Sequence, residues 1–305
     1  MKIAYLILAH KGAEQLARLI DRLSKTGDSF VHVDKKVKID EFQDCLKPIQ
    51  NVYLEKKRKP VYWGGWSIVK AYMGLMQKAL ESETHYDRIV LMTGQDYPLM
   101  KDTEINKFFE EHTETEYIMA YNIMNSTVVT DKNKLLRRWY FDAPFKSVFL
   151  QRIYKGIMYR LITKNFARKK ISLSLDGRPV DPYFGQMLSG FTRKGAELVL
   201  KTYLEDKKFN RVMKRAHAPD ELYWQTIIFN SDLRKNTVQG GVEHEITEHF
   251  GWAPLHYHHY DVDTSIFTED DFDEIKNSEY MFIRKVVPGK SDSLMDKIDM
   301  LRKEK

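Results

Sequence analysis

In residues 217–227, "HAPDELYWQTI", two adjacent acids follow Pro219 and precede a run of aromatic and branched side chains. Pro219 suits the first turn of a helix, where acids complement free N–H groups and the helix dipole. That accounts for Asp220 fully. It accounts less well for Glu221, because Leu222, Tyr223 and Trp224 imply that the turn is partly buried. A carboxylate pressed against aromatic surface gains basicity through desolvation, as a general base at neutral pH requires. From these residues alone, a helix start and a catalytic base stay equally open.

Other stretches bear on cofactors and metals. "YWGGWS", residues 62–67, places a glycine pair between aromatics at the opening of a helix. It reads as a turn with Ser67 as N-cap, or as a close backbone approach to a ligand with Tyr62, Trp63 or Trp66 stacking on it. "LHYHHYDVD" offers His256, His258, His259, Asp261 and Asp263, enough ligands for zinc or manganese. Strand alternation separates His256 and His258 from His259 and Asp261, so these groups do not all converge. No G-x-G-x-x-G follows the first apolar run and no G-x-x-x-x-G-K-[ST] occurs, which excludes dinucleotide and P-loop readings. Cys45 stands alone, so no intrachain disulfide or thiolate metal site forms, in keeping with a reducing compartment.

The elements that must position these groups alternate β with α. "KIAYLILAH" is a continuous apolar run, and "GAEQLARLIDRLSK" has helical spacing. "SFVHVD" and "NVYLE" read as strands, "SIVKAYMGLMQKALES" as an amphipathic helix, and "YDRIVLMTGQDYPL" as a buried strand entering a polar turn. "TEINKFFEEH" and "TEYIMAY" add one more helix and strand. Strands apolar on both faces, separated by helices, predict an α/β fold with a mostly parallel sheet flanked by helices. Ligands of such sheets bind where the strands end, which singles out His10, Asp34 and the turn ending at Asp96. A single domain over 1–290 is expected, with 291–305 as a frayed helical tail. The N-terminal run is too short for a signal peptide and no stretch is long enough to span a bilayer, so the expected location is cytoplasmic.

The net charge of +6 is uneven: residues 131–170 hold 12 Lys and Arg against 2 Asp, which leaves −4 for the remainder. This insertion or lid interleaves its cations with Trp139, Tyr140, Phe141, Phe145, Phe149, Tyr154 and Tyr159. Two readings stay open, a solvated helix face over an aromatic core and a surface for anionic lipid headgroups or an acidic ligand. No nucleic-acid module accompanies the charge.

Six blocks, "AYLILAH", "FVHVDKK", "VYWGGWSIVKA", "LMTGQDYPL", "APDELYWQTI" and "MFIRKV", occur in an order that resembles the core-2 and I-branching β-1,6-N-acetylglucosaminyltransferases, whose wider family contains peptide O-xylosyltransferases. The blocks run from residue 3 to about 286, and the chain is similar to a bacterial-type member. The resemblance implies a GT-A-like fold and inverting transfer of a sugar from a UDP-sugar to a glycan hydroxyl, without the metal of an Asp-x-Asp motif. It implies Glu221 as catalytic base, and Lys285 with Arg284 beside it as cations for the diphosphate. Asp34, Tyr62 and Trp63 fall on nucleotide-holding blocks, where His10 is also placed. Asp96, Ser189 and Gly190 fall on sugar or acceptor contacts. No metal or other cofactor is expected. The implied partners are a UDP-sugar and a glycan acceptor, lipid-linked if the basic segment holds the enzyme at the inner face of the cell membrane; nucleic acid is not among them. The family's second basic diphosphate contact falls near Val262, where this chain has no Arg or Lys, and Tyr260 stands where the family has Trp. A xylosyltransferase, a metal-dependent enzyme using His256, His258 and Asp261, and a non-catalytic glycan- or membrane-binding protein are the alternatives.

Overall fold

The computed structural model describes residues 1–243, 253–258 and 266–303. The first strand, β1 (Ile3–Ala9), is followed by α1 (Ala13–Leu23), β2 (Gly27–Val33), α2 (Asp40–Leu46), β3 (Val52–Leu54), α3 (Trp66–Leu80) and β4 (Arg88–Thr93). β1 lies between β2 and β4 and pairs in parallel with both, Ile3 opposite Gly27 on one side and Arg88 on the other. β3 extends the sheet in parallel beyond β2. A central strand is covered on both faces, which is why β1 is apolar at nearly every position rather than at alternate ones. Gly27 is dictated by this packing, since a Cβ there would sit 2.1 Å from the Ile3 carbonyl oxygen. α1 turns Leu16, Leu19, Ile20 and Leu23 onto one sheet face, and α3 buries Val69, Tyr72, Met73 and Met76 against the other.

The chain continues through β5 (Asp96–Pro98), α4 (Asp102–Glu111), the short β6 (Tyr121–Asn122), α5 (Val129–Leu136) and α6 (Val148–Met158), which runs on as a π-helical turn to Thr163. A small hairpin, β7 (Ser174–Leu175) and β8 (Arg178–Pro179), precedes β9 (Tyr183–Phe184) and β10 (Gly190–Thr192). β10 pairs antiparallel with β4 and completes the five-stranded order β10-β4-β1-β2-β3. The expected strand "TEYIMAY" is only partly realised: Glu116 and Tyr117 make isolated bridges, and pairing resumes at Tyr121.

After β10 come α7 (Arg193–Glu205), α8 (Lys207–Met213), a 3-10 turn at Pro219–Glu221, α9 (Tyr223–Phe229), β11 (His256–Tyr257), α10 (Phe272–Ile275), β12 (Phe282–Arg284) and α11 (Asp292–Lys303). β11, β12 and β5 form a second sheet whose register sets Arg284 opposite Asp96. The C-terminal tail is not frayed over its described length. Leu294, Met295 and Ile298 of α11 pack with Tyr97, Leu99 and Ile283. Asp299 receives hydrogen bonds from Arg18, Arg22 and the Tyr97 hydroxyl. Burial alone would raise its carboxyl, but these three donors pull it down to about 2.

Candidate active site

A cavity of about 400 Å³ opens at the carboxyl ends of β1, β2 and β4, the place where loops gather in an open α/β sheet. His10, Asp34, Trp63, Glu221 and Arg284 line it, together with Gln186, Met187 and Leu188. Five residues scattered over 275 positions of sequence therefore share one wall.

Asp34 follows the last residue of β2 and is fixed by the loop beyond it. Its Oδ1 accepts from the Lys36 and Val61 amides at 2.9 and 3.3 Å, and Lys36 Nζ lies 3.3 Å from Oδ2. The same ammonium sits 4.4 Å above the Tyr62 ring. His32 is buried two residues earlier; its Nε2 accepts from the Lys59 amide at 2.9 Å, and burial lowers its pKa, so the ring is held neutral. His10 is lowered too, by burial and then by Lys11, with Asp34 opposing and Lys36 and Arg284 adding to the fall. This end of the cavity is built for polar, anionic matter: His10, Lys11, Lys36 and Arg284 all line it.

Arg284 owes its position to Asp96. The Asp96 carboxylate is 0% exposed; it accepts from the Thr93 amide and hydroxyl at 2.8 Å each and from Arg284 Nη1 at 2.8 Å. His256 Nε2 lies 3.3 Å from the other oxygen, although its angle is not that of a hydrogen bond. Burial pushes this carboxyl up, yet Arg284, His256 and the Thr93 amide outweigh it and hold it well below the ordinary carboxylate range. Asp96 thus stands behind the cavity wall, not on it, and its oxygens are already used. The expected sugar contact is instead the group that aims Arg284.

The "PDE" turn sits on strained backbone. Ala218 has φ +47°, a left-handed conformation unusual for a residue with a Cβ. It is locked by Ala218 N–H donating to the Gly64 carbonyl at 3.1 Å and by Gly185 N–H donating to the Glu221 carbonyl at 2.9 Å. The two acids then part company. Asp220 is buried, its Oδ1 has no hydrogen-bond partner, and burial and the Glu221 charge raise its pKa, so it favours its neutral form. Desolvation therefore falls on Asp220, whereas the sequence suggested Glu221. Glu221 reaches the cavity partly exposed and pairs with Lys134 of α5, Nζ to Oε2 at 3.1 Å. Lys134 in turn lies 4.1 Å over the Phe184 ring.

Lys134 belongs to the basic aromatic segment, which packs against the cavity-lining Glu221 and Trp63 from outside the lining. Trp63, 76% exposed, packs edge-on against Phe141 and His217, and His217 also meets Trp139 at 4.8 Å. Burial, and then Lys134, bring His217 down to about 4 and leave it a neutral ring in an aromatic wall. Asp142 reaches back to α3, accepting from the Ser67 amide at 3.1 Å and the Ser67 hydroxyl at 2.7 Å. The first turn of α3 is thus capped by a side chain from 75 residues away, not by Ser67 itself, whose hydroxyl accepts from Tyr62 N–H at 2.9 Å. Gly65 makes room for this carboxylate, because a Cβ there would meet Asp142 Oδ1 at 2.2 Å. A second cavity, about 470 Å³, lies along the segment and includes Lys134, Arg137, Trp139, Tyr159 and His217.

The other expected site residues are placed as follows. Tyr62 is buried under Lys36 and Lys155 and does not line the cavity, so its ring positions those cations. Ser189 and Gly190 are buried in the edge of the main sheet. Ser189 O accepts from Leu91 N–H, and a Cβ on Gly190 would meet Leu255 at 2.7 Å; the neighbouring Gln186–Leu188 face the cavity instead. Lys285 follows Arg284, is partly buried and is outside the lining. His256 is fully buried against Phe282, and burial, then His256 and Arg284, push His258 down to about 3. Among the described residues no three His, Cys, Asp or Glu side chains gather as metal ligands. His259, Tyr260, Asp261, Val262 and Asp263 lie outside the described residues. Sequence reasoning passed over Lys134, Lys36 and Asp142. The signal for Asp142 was its rarity, as one of two acids among twelve cations.

The chain is similar to several known proteins, among them the following three. The chain is 21% identical over 248 residues to the human probable β-1,3-galactosyl-O-glycosyl-glycoprotein β-1,6-N-acetylglucosaminyltransferase 7, covering 79% of this chain and 52% of that protein. It is 26% identical over 146 residues to a β-1,3-galactosyl-O-glycosyl-glycoprotein β-1,6-N-acetylglucosaminyltransferase of bovine herpesvirus 4, covering 46% and 32% respectively. It is 25% identical over 134 residues to the xylosyltransferase 2 of Canis lupus familiaris, covering 42% and 16%. The chain spans about half the length, or less, of these relatives. Residues 3–276 match the family model described as Core-2/I-Branching enzyme. With a GT-A-like α/β architecture beneath that match, the chain belongs to the Core-2/I-Branching enzyme family of glycosyltransferases.

Proposed function

We propose that the chain transfers a sugar from a UDP-sugar to a hydroxyl of a glycan acceptor with inversion at the anomeric carbon, N-acetylglucosamine being the first donor to test and xylose the second. The observation that carries this reading is that Glu221 and Arg284 line one cavity at the strand ends. Glu221 takes the acceptor proton as the hydroxyl oxygen bonds to the anomeric carbon, and the bond to UDP breaks with its electron pair leaving on the diphosphate. Arg284, aimed by Asp96, meets that charge with preorganised donors, and Lys11 and Lys36 add to the positive field. Asp220, favouring its neutral form, spares Glu221 a second negative charge alongside. In this reading cations of the protein stand where other enzymes place a metal, and EDTA-insensitive turnover is expected. The acceptor is a growing surface polysaccharide of a bacterial cell, carried on lipid.

Release of UDP with a panel of donors and acceptors tests the reading. Glu221→Gln should bind UDP as wild type does and lose turnover by a factor of about a hundred or more. Undiminished turnover removes Glu221 from the mechanism. UDP binding with no transfer to any acceptor by the wild type would favour a binding protein, and activity abolished by EDTA and restored by a divalent cation would favour the metal-dependent alternative.

A further inference from the structure

We propose that residues 145–166 form a docking surface for an anionic lipid bilayer. α6 and its π-helical continuation make a 16-residue rod from Val148 to Thr163, yet no side chain of α6 is buried. Gln151, Tyr154, Lys155, Met158 and Ile162 are partly covered at intervals of three or four positions and mark the face turned to the protein, and Thr163 at the end of the rod is buried. That inner face is mixed, Gln151 and Lys155 beside Tyr154, Met158 and Ile162, and Lys155 Nζ lies 5.4 Å from the Tyr62 ring and 5.9 Å from the Phe141 ring. The opposite face carries Phe149, Ile153 and Ile157, which are 69, 43 and 49% exposed, flanked by Leu150 and Leu161. A helix on a water-facing surface keeps its outer face polar, whereas here the outer face is apolar as well.

This outward apolar stripe is set among cations. Residues 143–170 contain eight Lys and Arg and no acid. Arg152 and Arg160 flank the stripe, and Lys146, Lys169 and Lys170 are exposed at its ends. Apolar side chains beside Lys and Arg are what an interfacial helix presents to acyl chains and anionic headgroups. Charge selects this occupant over a second copy of the chain, because a self-interface would press two cationic surfaces together. No described helix is long and apolar enough to cross a membrane, so the contact is peripheral. It stands independently of the proposed reaction, since it uses none of the cavity's groups.

The test is co-sedimentation of the full chain with phosphatidylcholine vesicles, with and without phosphatidylglycerol. Binding should be stronger by about tenfold or more when the anionic lipid is present, and Phe149→Ser/Ile153→Ser/Ile157→Ser should reduce it by a similar factor. None of these side chains is buried, so the variant's thermal midpoint should stay close to that of wild type. Arg152→Gln/Arg160→Gln/Lys169→Gln/Lys170→Gln, whose groups are all exposed, should lose the preference for phosphatidylglycerol. Insertion is read separately from Phe149→Trp, whose emission should shift to the blue with anionic vesicles only. Equal binding of the serine variant and wild type, or no emission shift, overturns the proposal. So does a dimer in solution that the serine variant dissolves while neither protein binds vesicles, which would assign the face to a second copy.

Discussion

Asp96→Asn isolates the group that aims Arg284. The substitution keeps the shape and one acceptor oxygen for the Thr93 amide but removes the charge. At 2.8 Å and an effective dielectric constant of roughly 20, the Coulomb attraction of the pair is about 6 kcal/mol before desolvation is subtracted. Breaking a buried pair by neutralising one partner costs about 3–5 kcal/mol, because the other charge is left without compensation. Arg284 keeps 16% of its side-chain surface in the cavity, so the lower figure applies, about 3 kcal/mol. Urea denaturation at neutral pH measures this, and titration calorimetry with UDP measures the second effect, an affinity weaker by about tenfold as the guanidinium loses its fixed orientation. The pH dependence has a definite sign. Asp96 is depressed below its ordinary value of 3.8, so its contribution is present above that value and fades as pH falls toward the folded-state value. The gap between wild type and Asp96→Asn should therefore narrow in strong acid. Arg284→Met should be at least as costly as Asp96→Asn, since it leaves a wholly buried carboxylate without its guanidinium, and the double variant should cost less than the two changes summed. Additive losses, or a single variant within about 1 kcal/mol of wild type with unchanged UDP affinity, would refute the reasoning.

Two more outcomes follow from groups outside that pair. Glu116 is buried against the Thr192 amide, and burial, opposed by Thr192 and Arg88, lifts it from 4.5 to about 7. Between those values the unfolded chain releases a proton that the folded chain keeps, so stability falls as pH rises, by about 3 kcal/mol in all; Glu116→Gln should abolish this fall when urea midpoints are compared at about pH 5 and pH 8. Lys134→Met removes the cation at 3.1 Å from Glu221. As both side chains keep some exposure, the stability cost should stay near 1 kcal/mol, while kcat/KM should drop about tenfold with UDP affinity retained; an unchanged kcat/KM would show that Lys134 does not position the base.

The parallel sheet was legible because burial on both faces writes itself into β1 and β4 as unbroken apolar runs, and the polar residues at the strand ends, His10, Asp34 and Thr93, line the cavity. The proposal for Glu221 rests on the ordered blocks around it and on its place in the cavity lining, since its own neighbours serve a helix start as well as a base. What sequence could not give was direction. Asp220 and Glu221 are adjacent, yet a left-handed Ala218 turns one into the core and the other to the cavity. Ser189 and Gly190 follow directly on Gln186–Leu188, yet only the latter three line the cavity. Lys134 and Asp142 act across 87 and 75 positions; no local pattern encodes such partners. The expected C-terminal helix is present, but the charge that suggests fraying into solvent instead docks it, through Asp299 on Arg18 and Arg22.

The carboxylate of Asp142 makes the insertion a grammatical part of the sheet domain rather than an appendage. The first turn of α3 is completed only when residue 142 arrives, and the notch at Gly65 accepts nothing bulkier than a hydrogen in its presence. A chimera that exchanges this segment for that of a relative must therefore carry an acid at position 142 and glycine at 65 as a matched pair. Transplants lacking either should lose cooperative unfolding between the two parts, even where every residue lining the cavity is preserved.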